Sequence, residues 1–387
     1  SPFSQNIGLA LAEVYYEIDD FDRAVEEISR RLPNLSGDAE DRAVFLLAES
    51  YNQLRDSGNA ILNYRRFTEG ESSNPYYRRA LYGLAWNYHH EGSYEWSGDN
   101  FRLVHESGTD ELAALSMYYE AVNRKLVQRK NVAAELFETF ATSWPDNVLA
   151  DHGWFELGIL NYELNNWRLA NRAFGMLIDS YPASDLIGEA LLHQGNTFIA
   201  LGDFDQALST FDQAVELQAA PASLKEEITF QKAWLLYRNR RYREAAPEFL
   251  ALYEQNQNAE QAGESLFWAA ESYFQLDNFN RAESLFRRYL RDFPGARHTE
   301  AAHYALGWVY FKQRSYNNAI PEFETFLSAY RDNTGTVPYR SDAQLRLADS
   351  FFALKRYADA VRVYGRLAGD GDDYALYQIG QAYSNAG

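Results

Sequence analysis

The stretch "LGDFDQALSTFDQA", Leu201 to Ala214, decides how the whole chain is read. It contains no His, no Cys and no acids paired across a small gap; what marks it is that its pattern returns. Ala207 and Phe211 follow by twelve and sixteen residues a small residue, Gly195, set midway along an apolar segment. Equivalent small residues stand at Ala12, Ala48, Ala85, Ala121, Gly158, Gly195, Ala233, Ala270, Gly307, Ala348 and Gly380, with gaps of 36, 37, 36, 37, 37, 38, 37, 37, 41 and 32. Twelve after the first ten come Ala24, Ala60, Ser97, Ala133, Ala170, Ala207, Ala245, Ala282, Ala319 and Ala360. Four beyond those come Ile28, Tyr64, Phe101, Phe137, Phe174, Phe211, Phe249, Phe286, Phe323 and Tyr364.

Small residues let two helix backbones approach, and large ones fill the space beside them. Each unit therefore reads as two helices. Leu191, Gly195 and Phe198 keep a helical period in the first, "GD" at Gly202–Asp203 turns the chain, and the second begins near an aromatic. Pro247 and Pro321 are expected at the start of their second helices, where the first amides have no partner to lose. Pro145, Pro182 and Pro294, each behind an aromatic and 13 residues before the next small residue, punctuate unit ends. The fourth unit departs from the template, with Arg124 and Lys130 where aromatics are expected. The expectation is an all-α chain, one continuous array over residues 1–387, interrupted only by an irregular loop near residues 331–342 ("RDNTGTVPYRSD"). "GDGDD", 369–373, lacks the further ligands of a calcium loop and reads as a solvated loop with a helix cap.

A small residue in the first helix, an aromatic-x-x-Ala opening the second and a closing Pro stand here as Gly195, Phe204–Ala207 and Pro182. In this the chain resembles the tetratricopeptide repeat family. The resemblance implies a right-handed α-solenoid of about ten helix pairs plus one unpaired helix, with first helices lining a concave face where partners bind. The 37-residue spacing and the aromatic–Pro ends ("SYPAS", "DFPGA") are similar to bacterial cell-envelope members, of the outer-membrane assembly lipoprotein and Tol–Pal coordinator type. That implies a bacterial periplasm or cell envelope, with the cytoplasm as the alternative. No polar capping unit closes the array, so the sequence is read as part of a longer protein.

Composition narrows the function. A net charge of −19 disfavours nucleic acid and anionic membrane surfaces. With no cysteine there is no disulfide, thiolate metal site or Cys nucleophile. No apolar run approaches a spanning length. His89 and His90 are adjacent and His298 and His303 five apart, so neither pair offers the spacing of two ligands on one helix face. No nucleophile elbow or phosphate loop is present. The expectation is a non-enzymatic chain without cofactor or metal.

What remains is surface. Positions three before, one after and four after each small residue share one stripe of the first helix. They supply Tyr82, Trp86 and His89; Phe155 and Tyr162; Phe230, Trp234 and Tyr237; Phe267 and Phe274; and Tyr304, Trp308 and Phe311, with acids such as Glu271 between. Aromatics three before the small residue are common in the family, so that column is also read as packing between repeats; the Trp column is the stronger ligand surface, because Trp and Tyr dominate binding hot spots. The Lys and Asn of a chaperone-type carboxylate clamp are missing where Tyr82, Trp86, Phe230 and Trp234 stand. The expected function is a protein-interaction scaffold holding an apolar, aromatic or mildly basic segment of a partner protein. The alternatives are a carbohydrate-binding scaffold of a polysaccharide export system, and a spacer whose groove is empty or self-filled.

Overall fold

The structure, a computed structural model, describes residues 2–69, 73–255, 261–329, 337–369 and 371–386. Among these there are 21 α-helices, one 3-10 turn (Leu32–Asn34) and no strand. The chain divides into two compact units, Ser1–Thr210 and Phe211–Gly387. The first holds α1 (Pro2–Glu17), α2 (Phe21–Arg31), α3 (Asp38–Gln53), α4 (Ser57–Thr68), α5 (Tyr77–His90), α6 (Tyr94–Glu106), α7 (Glu111–Leu126), α8 (Lys130–Ser143), α9 (Ala150–Glu163), α10 (Trp167–Ser180) and α11 (Ile187–Leu201). The division falls within α12 (Phe204–Glu216). The second holds α13 (Ala222–Arg238), α14 (Tyr242–Gln255), α15 (Ala262–Gln275), α16 (Phe279–Asp292), α17 (Thr299–Lys312), α18 (Tyr316–Ala329), α19 (Val337–Ala353), α20 (Tyr357–Gly369) and α21 (Asp373–Ala386). Ten pairs and an unpaired eleventh first helix result, and every small residue of the template lies on an odd-numbered helix.

The core is the template made solid. The first ten small residues, the ten that follow by twelve and the ten that follow by sixteen are all buried. In the ninth pair a Cβ added to Gly307 would meet the Phe323 ring at 2.8 Å, and in the fifth one on Gly158 would meet Phe174 at 2.5 Å. Ser97, the one departure from Ala, fits because its hydroxyl donates to the Ala85 carbonyl at 2.8 Å.

Each elbow is built alike. The residue seven after the small one is left-handed in all ten pairs, at Asp19, Arg55, Gly92, Gln128, Asn165, Gly202, Arg240, Asp277, Arg314 and Lys355. Only Gly92 and Gly202 are glycine, the residue for which this conformation is free. Paired backbone bonds hold the others, as at Arg240 N–H to Tyr237 O and Arg241 N–H to Leu236 O, both 2.9 Å. The next residue caps the second helix: Asp20, Asp56 and Asn278 side chains accept amides there.

The fourth pair carries a charge at two positions where aromatics are expected. Arg124, 3% exposed, donates to Glu120 at 2.9 Å, Asp99 at 2.8 Å and Glu95 at 3.3 Å, and lies against Gly98. Lys130 pairs with Glu163 at 3.1 Å.

Two expectations are corrected. Pro247 and Pro321 are not in the first turn; each is the sixth residue of its helix, one turn deeper than the unpartnered amides. There a proline withholds the amide that the carbonyls of Arg243 and Asn317 would accept. Of the irregular loop at 331–342, residues 331–336 lie outside the described residues, and 337–342 open α19 as helix. At "GDGDD" the expected cap is Asp372, which accepts the Ala375 amide at 2.9 Å.

The same template column predicts opposite signs at two glycines. Gly307→Ala drives a methyl into Phe323 and should destabilise by about 1–3 kcal/mol. Gly380→Ala, with nothing within 4 Å of its Cβ, should stabilise by up to about 1 kcal/mol. Denaturation midpoints of the two variants check this; shifts in the same direction refute the packing role of the column.

Candidate functional site

The stripe separates into three columns with different occupations. The aromatic three before the small residue packs edge-to-face on the ring sixteen after it, within its own pair. Phe45–Tyr64, Tyr82–Phe101, Tyr118–Phe137, Phe155–Phe174, Phe230–Phe249, Phe267–Phe286 and Tyr304–Phe323 have centroids 5.4 to 6.4 Å apart. Phe267 is only 4% exposed, its ring also stacked on His298 at 4.4 Å. This column braces the core ring of its own pair and also reaches the next pair, as Phe45 does to Tyr76 at 4.7 Å and Phe155 to His193 at 5.8 Å.

The residue four after the small one is a clasp across the elbow, on the aromatic that opens the second helix. Tyr16–Phe21, His89–Tyr94, Tyr162–Trp167, Tyr237–Tyr242, Phe274–Phe279, Phe311–Tyr316 and Phe352–Tyr357 lie 4.9 to 6.0 Å apart. Each such pair contributes about 0.5–1.5 kcal/mol beyond its buried area. His89 also bonds Asn123 at 3.0 Å.

The column one after the small residue remains, and its tryptophans reach toward the next first helix. Trp86 meets Tyr119 at 4.5 Å, Trp234 meets Trp268 at 4.5 Å, and Trp308 lies beneath the Arg346 guanidinium at 5.2 Å. Tyr119, Trp268 and Arg346 share one template position, two before the next small residue. That position escaped the sequence reading because its aromatics belong to a different repeat from the Trp they touch. Aligning the units side by side exposes the pairing at spacings of 33 to 38 residues.

In the second unit these columns enclose a cleft of about 660 Å³ on α15, α17 and the start of α19, with Tyr237 of α13 at one end. Trp268, Glu271, Phe274, Tyr304, Trp308 and Tyr339 form its walls, and Ala301 and Ala305 line it between them. The walls are set by hydrogen bonds. Glu264 accepts from the Trp268 indole at 3.2 Å and bonds His298 at 2.8 Å. Asp342 accepts from the Tyr304 hydroxyl at 2.7 Å and the Trp308 indole at 2.9 Å. Tyr82, Trp86, His89, Phe155 and Tyr162 belong to the first unit and line no part of this cleft. His303, the other histidine weighed on sequence, bonds Glu322 at 2.6 Å.

Glu271 is the carboxylate of this column that lines the cleft. Its neighbours are neutral: Gln275 donates at 2.9 Å and the Tyr237 hydroxyl stands beside it. Among the described residues no Lys or Arg pairs with it. Burial pushes its carboxyl above the ordinary carboxylate range, and only those two hydrogen bonds pull it back. Burial likewise raises Tyr237 and Tyr304.

The tetratricopeptide repeat family model matches residues 230–297 and 304–375. That of Iml2/tetratricopeptide repeat protein 39 matches residues 114–262. No curated protein matches in sequence. Among solved structures, the C-terminal part of a repeat-containing protein from Cytophaga hutchinsonii superposes with TM-score 0.51 at 14% identity, over 67% of this chain and 98% of that one. A tetratricopeptide repeat protein from Parabacteroides merdae gives TM-score 0.42 at 12% identity, over 70% and 98%. The first of these is a likeness of fold.

The raised carboxyl carries a sign. Ionising Glu271 costs the folded state, so its penalty is absent below the unfolded pKa of about 4.3 and complete above the folded one. Glu271→Gln should therefore raise the melting temperature at pH 7, and the gain should shrink toward pH 4. Melting curves of both proteins across that range test it; a variant less stable at pH 7 contradicts it.

Proposed function

On a chain of tetratricopeptide repeats, as two family models and the shared fold support, we propose a non-enzymatic scaffold that holds a segment of a partner protein along its first helices. The observation that carries this is the column one after the small residue. Core packing claims the column three before and the elbow claims the column four after, whereas Trp234 and Trp308 are half-buried and turned toward the neighbouring first helix. Apolar surface of this kind, rimmed by polar groups, marks interaction sites. The partner segment is apolar or aromatic with basic character, matched to a chain of net charge −19. A bacterial envelope setting rests on the resemblance of the repeat spacing and the aromatic–Pro ends, and cell fractionation with an antibody to this chain tests it.

The double variant Trp234→Ala, Trp308→Ala should lose about thirtyfold or more in affinity for the captured partner, the scale of truncating one hot spot. Far-UV circular dichroism should stay unchanged, since neither ring fills the template core. Undiminished capture by a helical double mutant would sink the reading.

A further inference from the structure

The acids one after the small residue have a recognisable duty elsewhere. Glu49 accepts from the Tyr64 hydroxyl at 2.7 Å and Asp349 from the Tyr364 hydroxyl at 2.5 Å, in each case the ring sixteen after their own small residue. Glu13, whose pair has Ile28 there, binds Arg42 at 2.5 Å. Glu271 has neither. The ring sixteen on is Phe286, without a hydroxyl, and among the described residues no cation takes its place.

One step along the array the same positions show what such an acid accepts. Trp308, Arg346 and Asp349 occupy one-after, two-before and one-after in the ninth and tenth pairs. The Arg346 guanidinium lies over the Trp308 indole at 5.2 Å and donates to Asp349 at 2.6 Å. In the eighth and ninth pairs those three positions hold Glu271, Ala305 and Trp308. An indole and a carboxylate again flank the two-before position, but the residue there is alanine, and the cleft opens over it.

We propose that this cleft receives a lysine or arginine side chain of the partner polypeptide, its charge against Glu271 and its stem along the Trp268 and Trp308 rings. The partner would thereby supply what Arg346 supplies to the next repeat. The inference rests on the scaffold reading and specifies the chemistry of what is held. Rings and a desolvated carboxylate reward a cation together, the rings through their quadrupole and the carboxylate by direct pairing. Arg297, Glu300 and the Glu264-bound His298 also border the cleft; Arg297 and Glu300 are exposed and oppose each other in sign.

The probes are two acetylated, amidated pentapeptides, Ala-Ala-Lys-Ala-Ala and its norleucine counterpart, with choline as a third, followed by the indole N–H resonances of the full chain. The lysine peptide should shift the Trp268 and Trp308 signals saturably and bind at least tenfold tighter than the norleucine peptide. Glu271→Gln, which should fold and melt higher than the parent, should lose that preference. Equal binding of both peptides, or a preference that survives in Glu271→Gln, overturns the cation site and leaves the scaffold reading standing. Binding of choline without the lysine peptide overturns the polypeptide source. Binding of no probe overturns the inference, whereas the scaffold reading falls only with undiminished capture by the tryptophan double mutant.

Discussion

One contact governs the chain: a small residue on a first helix against a large ring sixteen residues later. With no side chain at Gly307, the Phe323 ring sits where a Cβ would be, and the two backbones close to that limit. Close approach sets helix spacing, and spacing sets which neighbours every other position can reach. Burying each ring contributes roughly 1.5–3 kcal/mol, repeated through the array. Stability of this kind is a sum of local terms between neighbours. The elbow then follows, because a helix ending seven residues after the small one turns through a left-handed residue whatever its side chain, as Arg240 and Arg314 show.

Once that contact and the elbow are fixed, few positions are left for recognition. The ring three before the small residue, as at Phe230, braces the core ring, and the ring four after it, as at Phe274, clasps the elbow. The position one after and the facing position of the next repeat have no single structural duty common to all repeats. Difference between repeats concentrates there: Trp86 with Tyr119, Trp234 with Trp268, Trp308 with Arg346, Glu271 opposite Ala305. A scaffold of near-identical units can vary its chemistry at that seam without disturbing its packing.

The helix pairs were legible because small and large residues repeat at fixed intervals, and a period survives substitutions such as Ser97. The candidate surface was only half legible. Thirteen residues chosen as one stripe include buried Phe267 and the elbow clasps Tyr162, Tyr237 and Phe311, since spacing on a helix gives a face but not what covers it. Trp268 and Asp342 were missed because their partners, Trp234 and Trp308, are 34 residues away in sequence. The left-handed elbow residues were invisible for another reason: Asp, Arg, Gln, Asn and Lys share no preference that announces the conformation. Pro247 and Pro321 misled although their helices begin on the expected aromatics, Tyr242 and Tyr316: five residues on, each proline is already past the unpartnered amides.

Glu271 illustrates where a repeat stops serving its fold. The other acids of its column find a phenol of their own pair or a guanidinium: Tyr64 for Glu49, Arg42 for Glu13, Tyr364 and Arg346 for Asp349. Those pairings return some of the desolvation that burial imposes on a carboxylate. At Glu271 the phenol is Tyr237, of the preceding pair, and Gln275 is the second donor; burial holds the carboxyl above its ordinary range, as it also does that of Asp349. Glu271 lines the cleft with no Lys or Arg beside it among the described residues, so a cation entering there meets a carboxylate whose charge this chain does not itself balance.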